Sequence, residues 1–207
     1  MSTLPLEENQ PNKPLSLSSL TGSRICHDLI SPIGAITNGL ELLSLSGTVS
    51  GPEIGLIEES VAQATARIKF FRLAFGIADA SPQPTAEIAE ILSAFEAEGR
   101  IKTTLNVQGA IARSRVRVLF LAVLCLERAM PFGGEITLTR SDKAWDIQGR
   151  SDRLRTTDAV WHQLIYGSAF DDLRPATVQF GLLREAAADL DADLRVTVSS
   201  ERISIRV

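Results

Sequence analysis

One histidine lies among small and polar residues that recur at helical spacing. His27, Ser31, Gly34, Asn38 and Glu41 are separated by four, three, four and three positions. This spacing places all five on one face of a helix. Histidine side chains with a pKa of about 6.5 are largely uncharged at neutral pH, so their ring nitrogens can act as nucleophiles. The pattern predicts an exposed and chemically available histidine.

The other face of the same helix is apolar. It comprises Ile25, Leu29, Pro32 or Ile33, Ile36, Leu40 and Leu43. A serine at position 16 or 18 is a candidate N-cap, which extends the predicted helix upstream. Pro32 removes one backbone hydrogen bond and predicts a kink just beyond the histidine. The helix is therefore expected to bury one face and to present His27 on the other.

A second helix is predicted from Pro52, a residue favoured at the first helical position, with Glu53 in its first turn. Its apolar positions alternate in steps of three and four and are Ile54, Ile57, Val61, Ala64, Ile68, Phe71 and Phe75. Two such helices joined by a short loop form an antiparallel hairpin. A lone hairpin leaves one flank of each helix in water, so we expect a homodimer in which two hairpins form a four-helix bundle.

The helical pattern of apolar residues ends at residues 79–84, which contain two prolines and mark a predicted domain boundary. Beyond it the predicted order is helix, strand, helix, hairpin, helix, hairpin. This order indicates an α/β sandwich in which helices cover one face of a mixed sheet. The predicted fold class is thus α+β, with a flexible tail over 1–15, the helical hairpin over 16–80 and the α/β domain over 85–207.

Composition narrows the classes of function. The net charge is −4 and no basic cluster is present, so nothing indicates nucleic-acid binding. No apolar run approaches the roughly 20 residues of a membrane span, and the first residues lack the apolar region of a signal peptide, so we expect a cytoplasmic protein. The two cysteines, Cys26 and Cys125, lie in helical patterns and are interpreted as reduced, buried residues. No group of residues has metal-ligand spacing.

Two stretches together resemble a known family. His27 is followed by Asp28, and Pro32 comes five residues after the histidine, at the head of a helical hairpin. This arrangement resembles the phosphoacceptor box of sensor histidine kinases. Residues 121–138 resemble the helix-to-strand passage of the kinase ATP-binding domain, and residues 181–186 with the last hairpin resemble its closing elements. The resemblance covers residues 20 to 207.

The chain departs from that family where the kinases bind nucleotide. Kinases place a Mg²⁺-binding asparagine on the helix where Glu127 and Arg128 stand here, and residues 107–207 contain no asparagine. The adenine-binding turn with two glycines is replaced by residues 148–153, and the second glycine-rich turn by residues 175–180. Backbone amides of such loops bind phosphates. We therefore expect no ATP binding and no bound cofactor.

A kinase-like dimer without a nucleotide site resembles the bacterial dimeric histidine phosphotransferases of the ChpT type. This resemblance implies a phosphorelay of a two-component system that acts in cell-cycle control. In it His27 would relay a phosphoryl group between aspartates in the receiver domains of a hybrid histidine kinase and of response regulators. Asp28 would hold one ring nitrogen as N–H, and the receiver would supply Mg²⁺. An ATP-dependent kinase and a non-catalytic dimeric adaptor remain as alternatives.

The resemblance also indicates where a receiver would dock. Small residues beside His27, namely Ser31 and Gly34, would allow a receiver helix to approach, and Asn38 and Glu41 would form a polar rim. On the second helix Arg67, Phe70 and Ala74 are spaced by three and four and share one stripe. Phe70 lies off the apolar seam, so it is either a partner contact or a core residue.

Overall fold

The computed structural model describes residues 16–46, 52–96, 100–141 and 144–207. The predicted tail over 1–15 lies outside the described residues. Within them the fold is α+β, as the sequence predicts: a helical hairpin precedes a sheet with its own helices.

The hairpin consists of α1 (Leu17–Ser46) and α2 (Pro52–Phe75). Ser16 is the predicted cap, because its Oγ accepts a hydrogen bond of 3.2 Å from the backbone N–H of Ser19. The two helices approach closely at Gly39, where an added Cβ would lie 2.6 Å from Cγ1 of Ile57. Because glycine has no side chain, α1 and α2 can lie this close together at Gly39.

The remaining elements follow the predicted order, with two short strands, a second short helix after the first strand hairpin and a 3-10 turn in addition. They are β1 (Pro82–Pro84), α3 (Thr85–Glu96), β2 (Ile101–Asn106), β3 (Ala110–Ala112), α4 (Arg113–Ala129), β4 (Gly134–Ser141), β5 (Ala144–Arg150), α5 (Ala159–Tyr166), a 3-10 turn (Pro175–Thr177), α6 (Val178–Ala188), β6 (Arg195–Val198) and β7 (Arg202–Arg206). The two additional strands are β1 and β3, which pair antiparallel with each other. Three-residue strands, one with two prolines, carry too little alternation to be predicted.

A mixed sheet of five strands forms the second unit, in the order β2-β4-β5-β7-β6. β2 and β4 run parallel, whereas the other neighbours are antiparallel. Alternate residues of β4, β5 and β7 are buried, and α4 is buried along most of its length. This alternation indicates that the central strands bury one face, as the period of two requires.

The hairpin packs directly on the second unit. The end of α2 contacts α3 and α4, and α1 contacts α6 and the 3-10 turn. Arg113, at the start of α4, donates to the backbone carbonyls of Arg72 and Leu73. These carbonyls have no partner within α2, since they belong to its last turn. The arginine therefore caps α2 and ties it to α4.

Several large apolar side chains of the hairpin remain in solvent. Their exposed fractions lie between 43% and 54% for Ile33, Leu40, Leu56, Val61 and Ile68. Such side chains are normally covered when they form a continuous patch. No helix among the residues that the structure describes has the length and apolarity to cross a membrane.

Candidate functional site

His27 stands on the solvent side of α1, with 84% of its side chain exposed. Ser31, Asn38 and Glu41 are also exposed, and Gly34 is half-buried. Apart from the neighbouring backbone of α1, no described atom lies within 4 Å of the position that a Cβ at Gly34 would take. The ring of His27 therefore lies beside an open stripe of small and polar residues, and a partner's role for that stripe stays a prediction.

The neighbouring carboxylate determines the tautomer of the ring. Nδ1 of His27 lies 3.0 Å from Oδ1 of Asp28. An ionised carboxylate only accepts hydrogen bonds, so Nδ1 must carry the proton and donate it. In the neutral ring the lone pair then lies on Nε2. The pair can thus present one nucleophilic nitrogen to an incoming group.

Arg24 binds the carboxylate of Asp28 and was not predicted as a site residue. Its Nε donates to Oδ2 of Asp28 at 2.6 Å, and its Nη1 donates to the backbone carbonyl of Ala176 at 3.3 Å. Only 12% of the Asp28 side chain is exposed. The spacing of four between Arg24 and Asp28 is the signal that could have revealed the pair, because such residues meet on a helix.

The structure corrects two predicted docking residues. Phe70 has no exposed surface, and its ring stacks on Phe95 with 4.0 Å between centroids and lies 4.5 Å from the ring of Phe120. Ala74 is also fully buried. Both predictions as partner contacts were wrong, because α2 packs with this stripe against α3 and α4. Arg67 on the same stripe is half-buried, with its guanidinium 5.7 Å from the Phe95 centroid.

The two cysteines differ in exposure. Cys125 is buried in α4 as predicted, and burial raises the pKa of its thiol well above the usual value. Cys26 is exposed, so its prediction as a buried residue was wrong. It directly precedes His27, and neighbouring helical residues point about 100° apart. Cys26 therefore shares the exposure of the histidine without sharing its face.

A polar cavity of about 650 Å³ lies between α1, α4, the segment after β5 and the 3-10 turn. Its charged lining residues are Arg24, Glu127, Arg128, Arg155 and Asp158. Arg128 and Asp158 form an ion pair of 2.7 Å at its wall. Burial raises the pKa of Glu127, while the positive charges of Arg24 and Arg67 oppose that rise.

Two glycines, one in β5 and one in α6, serve packing. A Cβ at Gly149 would lie 3.1 Å from Cγ2 of Ile203, and one at Gly181 would lie 2.7 Å from Cδ1 of Leu173. Both glycines face apolar side chains, so neither opens a turn toward a phosphate. Among the described residues no group of three or more His, Cys, Asp or Glu side chains could hold a metal ion.

Comparisons with known proteins agree on the family. The model of the histidine phosphotransferase C-terminal domain matches residues 85–202, more than half of the chain. The protein phosphotransferase ChpT of Brucella abortus (strain 2308) is 35% identical over 127 residues, which are 60% of this chain and 60% of that protein. A solved structure of a bacterial phosphotransferase superimposes with a TM-score of 0.77 at 29% identity, over 93% of this chain and 97% of that one. The chain therefore belongs to the histidine phosphotransferase family.

Proposed function

We propose that the protein is a phosphorelay histidine phosphotransferase that carries a phosphoryl group on His27. The observation that supports this most strongly is the exposed imidazole whose Nδ1 is paired with a nearly buried Asp28. The aspartate of one receiver domain would donate the group and the aspartate of another would accept it. Receivers of a hybrid histidine kinase and of response regulators are the proposed partners, and the cytoplasm is the proposed compartment.

In the transfer step, the lone pair of Nε2 attacks phosphorus while the bond from phosphorus to the aspartyl oxygen breaks. The leaving carboxylate keeps the electron pair, and Nδ1 keeps its proton. The phosphorylated ring is then positively charged, so the carboxylate of Asp28 stabilises it as an aspartate stabilises an imidazolium. Charge on the phosphoryl oxygens would be neutralised by Mg²⁺ that the receiver brings. The step is reversible, which suits a relay.

The stripe beside the histidine is the proposed docking surface for a receiver. Ser31, Asn38 and Glu41 can form hydrogen bonds at its rim, and the open space at Gly34 allows a partner's backbone to approach. Arg67 lies on the neighbouring helix but is already in contact with Phe95, so we place it at the edge of this surface.

We further propose that ATP is not the source of the phosphoryl group. The support is the sequence of residues 148–153 and 175–180, which stand where the resemblance places the glycine-rich turns of the kinases and which contain one glycine, Gly149. In the structure a Cβ at Gly149 would meet the side chain of Ile203, so this glycine serves packing. Incubation of the protein with radiolabelled ATP and Mg²⁺ is expected to leave it unlabelled. The matched sample contains receiver domains from the same genome, phosphorylated with acetyl phosphate, and is expected to label the protein. Stable labelling from ATP alone would show a kinase instead.

A homodimer through the hairpin is also proposed. Ile33 and Leu40 are seven residues apart on α1, as Val61 and Ile68 are on α2, so each pair lies on one face of its helix. All four are about half exposed in the single chain, which leaves an apolar surface for a second hairpin to cover.

Light scattering at micromolar concentration is therefore expected to give twice the chain mass of 22.4 kDa. Ile68→Glu should shift the mass toward that of one chain, because a dimer would bury the new charge without a partner. Val198→Glu is the control, since Val198 is exposed on the edge strand β6 away from the hairpin. A single-chain mass for the unaltered protein would contradict the dimer.

A further inference from the structure

We propose that Arg24 is a positioning residue for the transfer reaction. Through Arg24 the C-terminal domain, which is the α/β domain over residues 85–207, orients the His27 ring. This inference rests on the proposed function of His27. It assigns a present role to a domain for which we propose no use of ATP.

The geometry forms a continuous chain of contacts from the C-terminal domain to the nucleophile. Nη1 of Arg24 donates to the carbonyl of Ala176 at 3.3 Å, and Nε donates to Oδ2 of Asp28 at 2.6 Å. The other carboxylate oxygen, Oδ1, is left to accept from Nδ1 of His27 at 3.0 Å. Each oxygen of Asp28 thus has one partner, which fixes the plane of the carboxylate.

At its far end this chain of contacts meets a carbonyl that has a second hydrogen-bond donor. The carbonyl of Ala176 also accepts a hydrogen bond of 3.2 Å from Nε2 of Gln179, whose side chain is 2% exposed. Ala176 lies within the 3-10 turn that precedes α6, and Gly181 of α6 lets that helix approach Leu17 of α1. The carbonyl that Arg24 contacts thus belongs to a turn packed against α1, so Arg24 links the position of this turn to Asp28.

The contacts around Arg24 favour this arrangement over a solvated surface arginine. Its side chain is only 18% exposed, and it lines the polar cavity together with Glu127. Ion pairs that are largely shielded from water are held in one geometry more firmly than exposed pairs. Without Arg24, the buried carboxylate would lose its charged partner and could rotate away from the ring.

The consequence for the reaction concerns the tautomer. An unrestrained neutral imidazole prefers its proton on Nε2, which would block the nitrogen that we propose as nucleophile. The hydrogen bond to Asp28 reverses that preference by stabilising the proton on Nδ1. Residues that orient a metal-binding histidine through its second ring nitrogen change activity by about 10-fold to 100-fold when they are removed, and we expect an effect of the same order here.

The test compares Arg24→Gln with Arg113→Gln in the full-length protein. Both arginines join the hairpin to the C-terminal domain by donating to backbone carbonyls, but only Arg24 contacts Asp28. Two quantities are measured for each variant. The first is the rate of label transfer from receiver domains phosphorylated with acetyl phosphate. The second is the ¹⁵N chemical shifts of the His27 ring in its neutral form, which report the position of the ring proton.

Arg24→Gln is expected to transfer about 10-fold to 100-fold more slowly and to move the ring proton from Nδ1 toward Nε2. Arg24→Lys should recover part of the rate, because it keeps the positive charge beside Asp28. Arg113→Gln should retain the tautomer of the unaltered protein whatever its stability. A labelled wild type together with an unchanged rate and tautomer in Arg24→Gln would overturn this inference alone. A wild type that gains no label would overturn the proposed function instead.

Discussion

Replacing His27 with alanine is expected to abolish phosphoryl transfer from a phosphorylated receiver to this protein. The substitution removes the only nucleophilic nitrogen beside Asp28, and alanine offers no atom that could accept the group. Because 84% of the His27 side chain is in solvent, its loss should leave the fold unchanged. The measurement is the amount of label on the protein after incubation with receiver domains phosphorylated by acetyl phosphate.

The matched control is His162→Ala, which removes the only other histidine of the chain. His162 is exposed on α5 and lies 4.4 Å, between ring centroids, from Tyr166. This variant should be labelled as fully as the unaltered protein. If His27→Ala still binds receivers while the unaltered protein gains no label, the chain is a docking adaptor. Equal labelling of His27→Ala and the unaltered protein would place the phosphoryl group elsewhere.

Replacing Phe70 with alanine is expected to lower the free energy of unfolding by about 3 to 5 kcal/mol. The side chain is fully buried, and its ring packs on those of Phe71, Phe95 and Phe120. Removing it leaves a cavity at the junction of α2, α3 and α4, and these helices can close such a cavity only in part. Chemical denaturation of the purified protein measures the change.

Phe132→Ala is the control for this loss. Phe132 is 56% exposed, and the guanidinium carbon of Arg153 lies 5.1 Å from its ring centroid. Its removal should cost less than about 1 kcal/mol. Equal losses for the two variants would contradict a core role for Phe70. A normal free energy of unfolding for Phe70→Ala would restore the interpretation of Phe70 as a partner contact.

The hairpin could be predicted from sequence because its signals are local. Steps of three and four between apolar residues define a helix face, and Ser16 and Pro52 mark the two starts. The presence of a mixed sheet covered by helices could be predicted because the order of the elements resembles that of the kinase ATP-binding domain. The two short strands, β1 and β3, could not, since each is defined by its pairing across the chain and by little else.

The errors at the site share one physical origin. Phe70 and Ala74 were assigned from the periodicity of α2 alone, which distinguishes the faces of a helix but does not say what covers each face. In the structure the C-terminal domain covers that stripe, and α1 covers another. The spacing of four between Arg24 and Asp28 is local, but the second contact of Arg24, to Ala176, joins residues 152 positions apart and has no signal in the helix pattern. Contacts between the hairpin and the C-terminal domain are therefore the part that sequence patterns did not reveal.

The most direct test of the account is to locate the transferred phosphoryl group by ¹H–³¹P correlation spectroscopy. The protein is the His162→Ala variant, in which His27 is the sole histidine. It is phosphorylated by receiver domains that have first been phosphorylated with acetyl phosphate. The account predicts a phosphorus signal that correlates with both carbon-bound protons of the imidazole, since both are three bonds from a phosphorus on Nε2. A correlation with one ring proton only would place the group on Nδ1, and no correlation with the ring would contradict His27 as the phosphoacceptor.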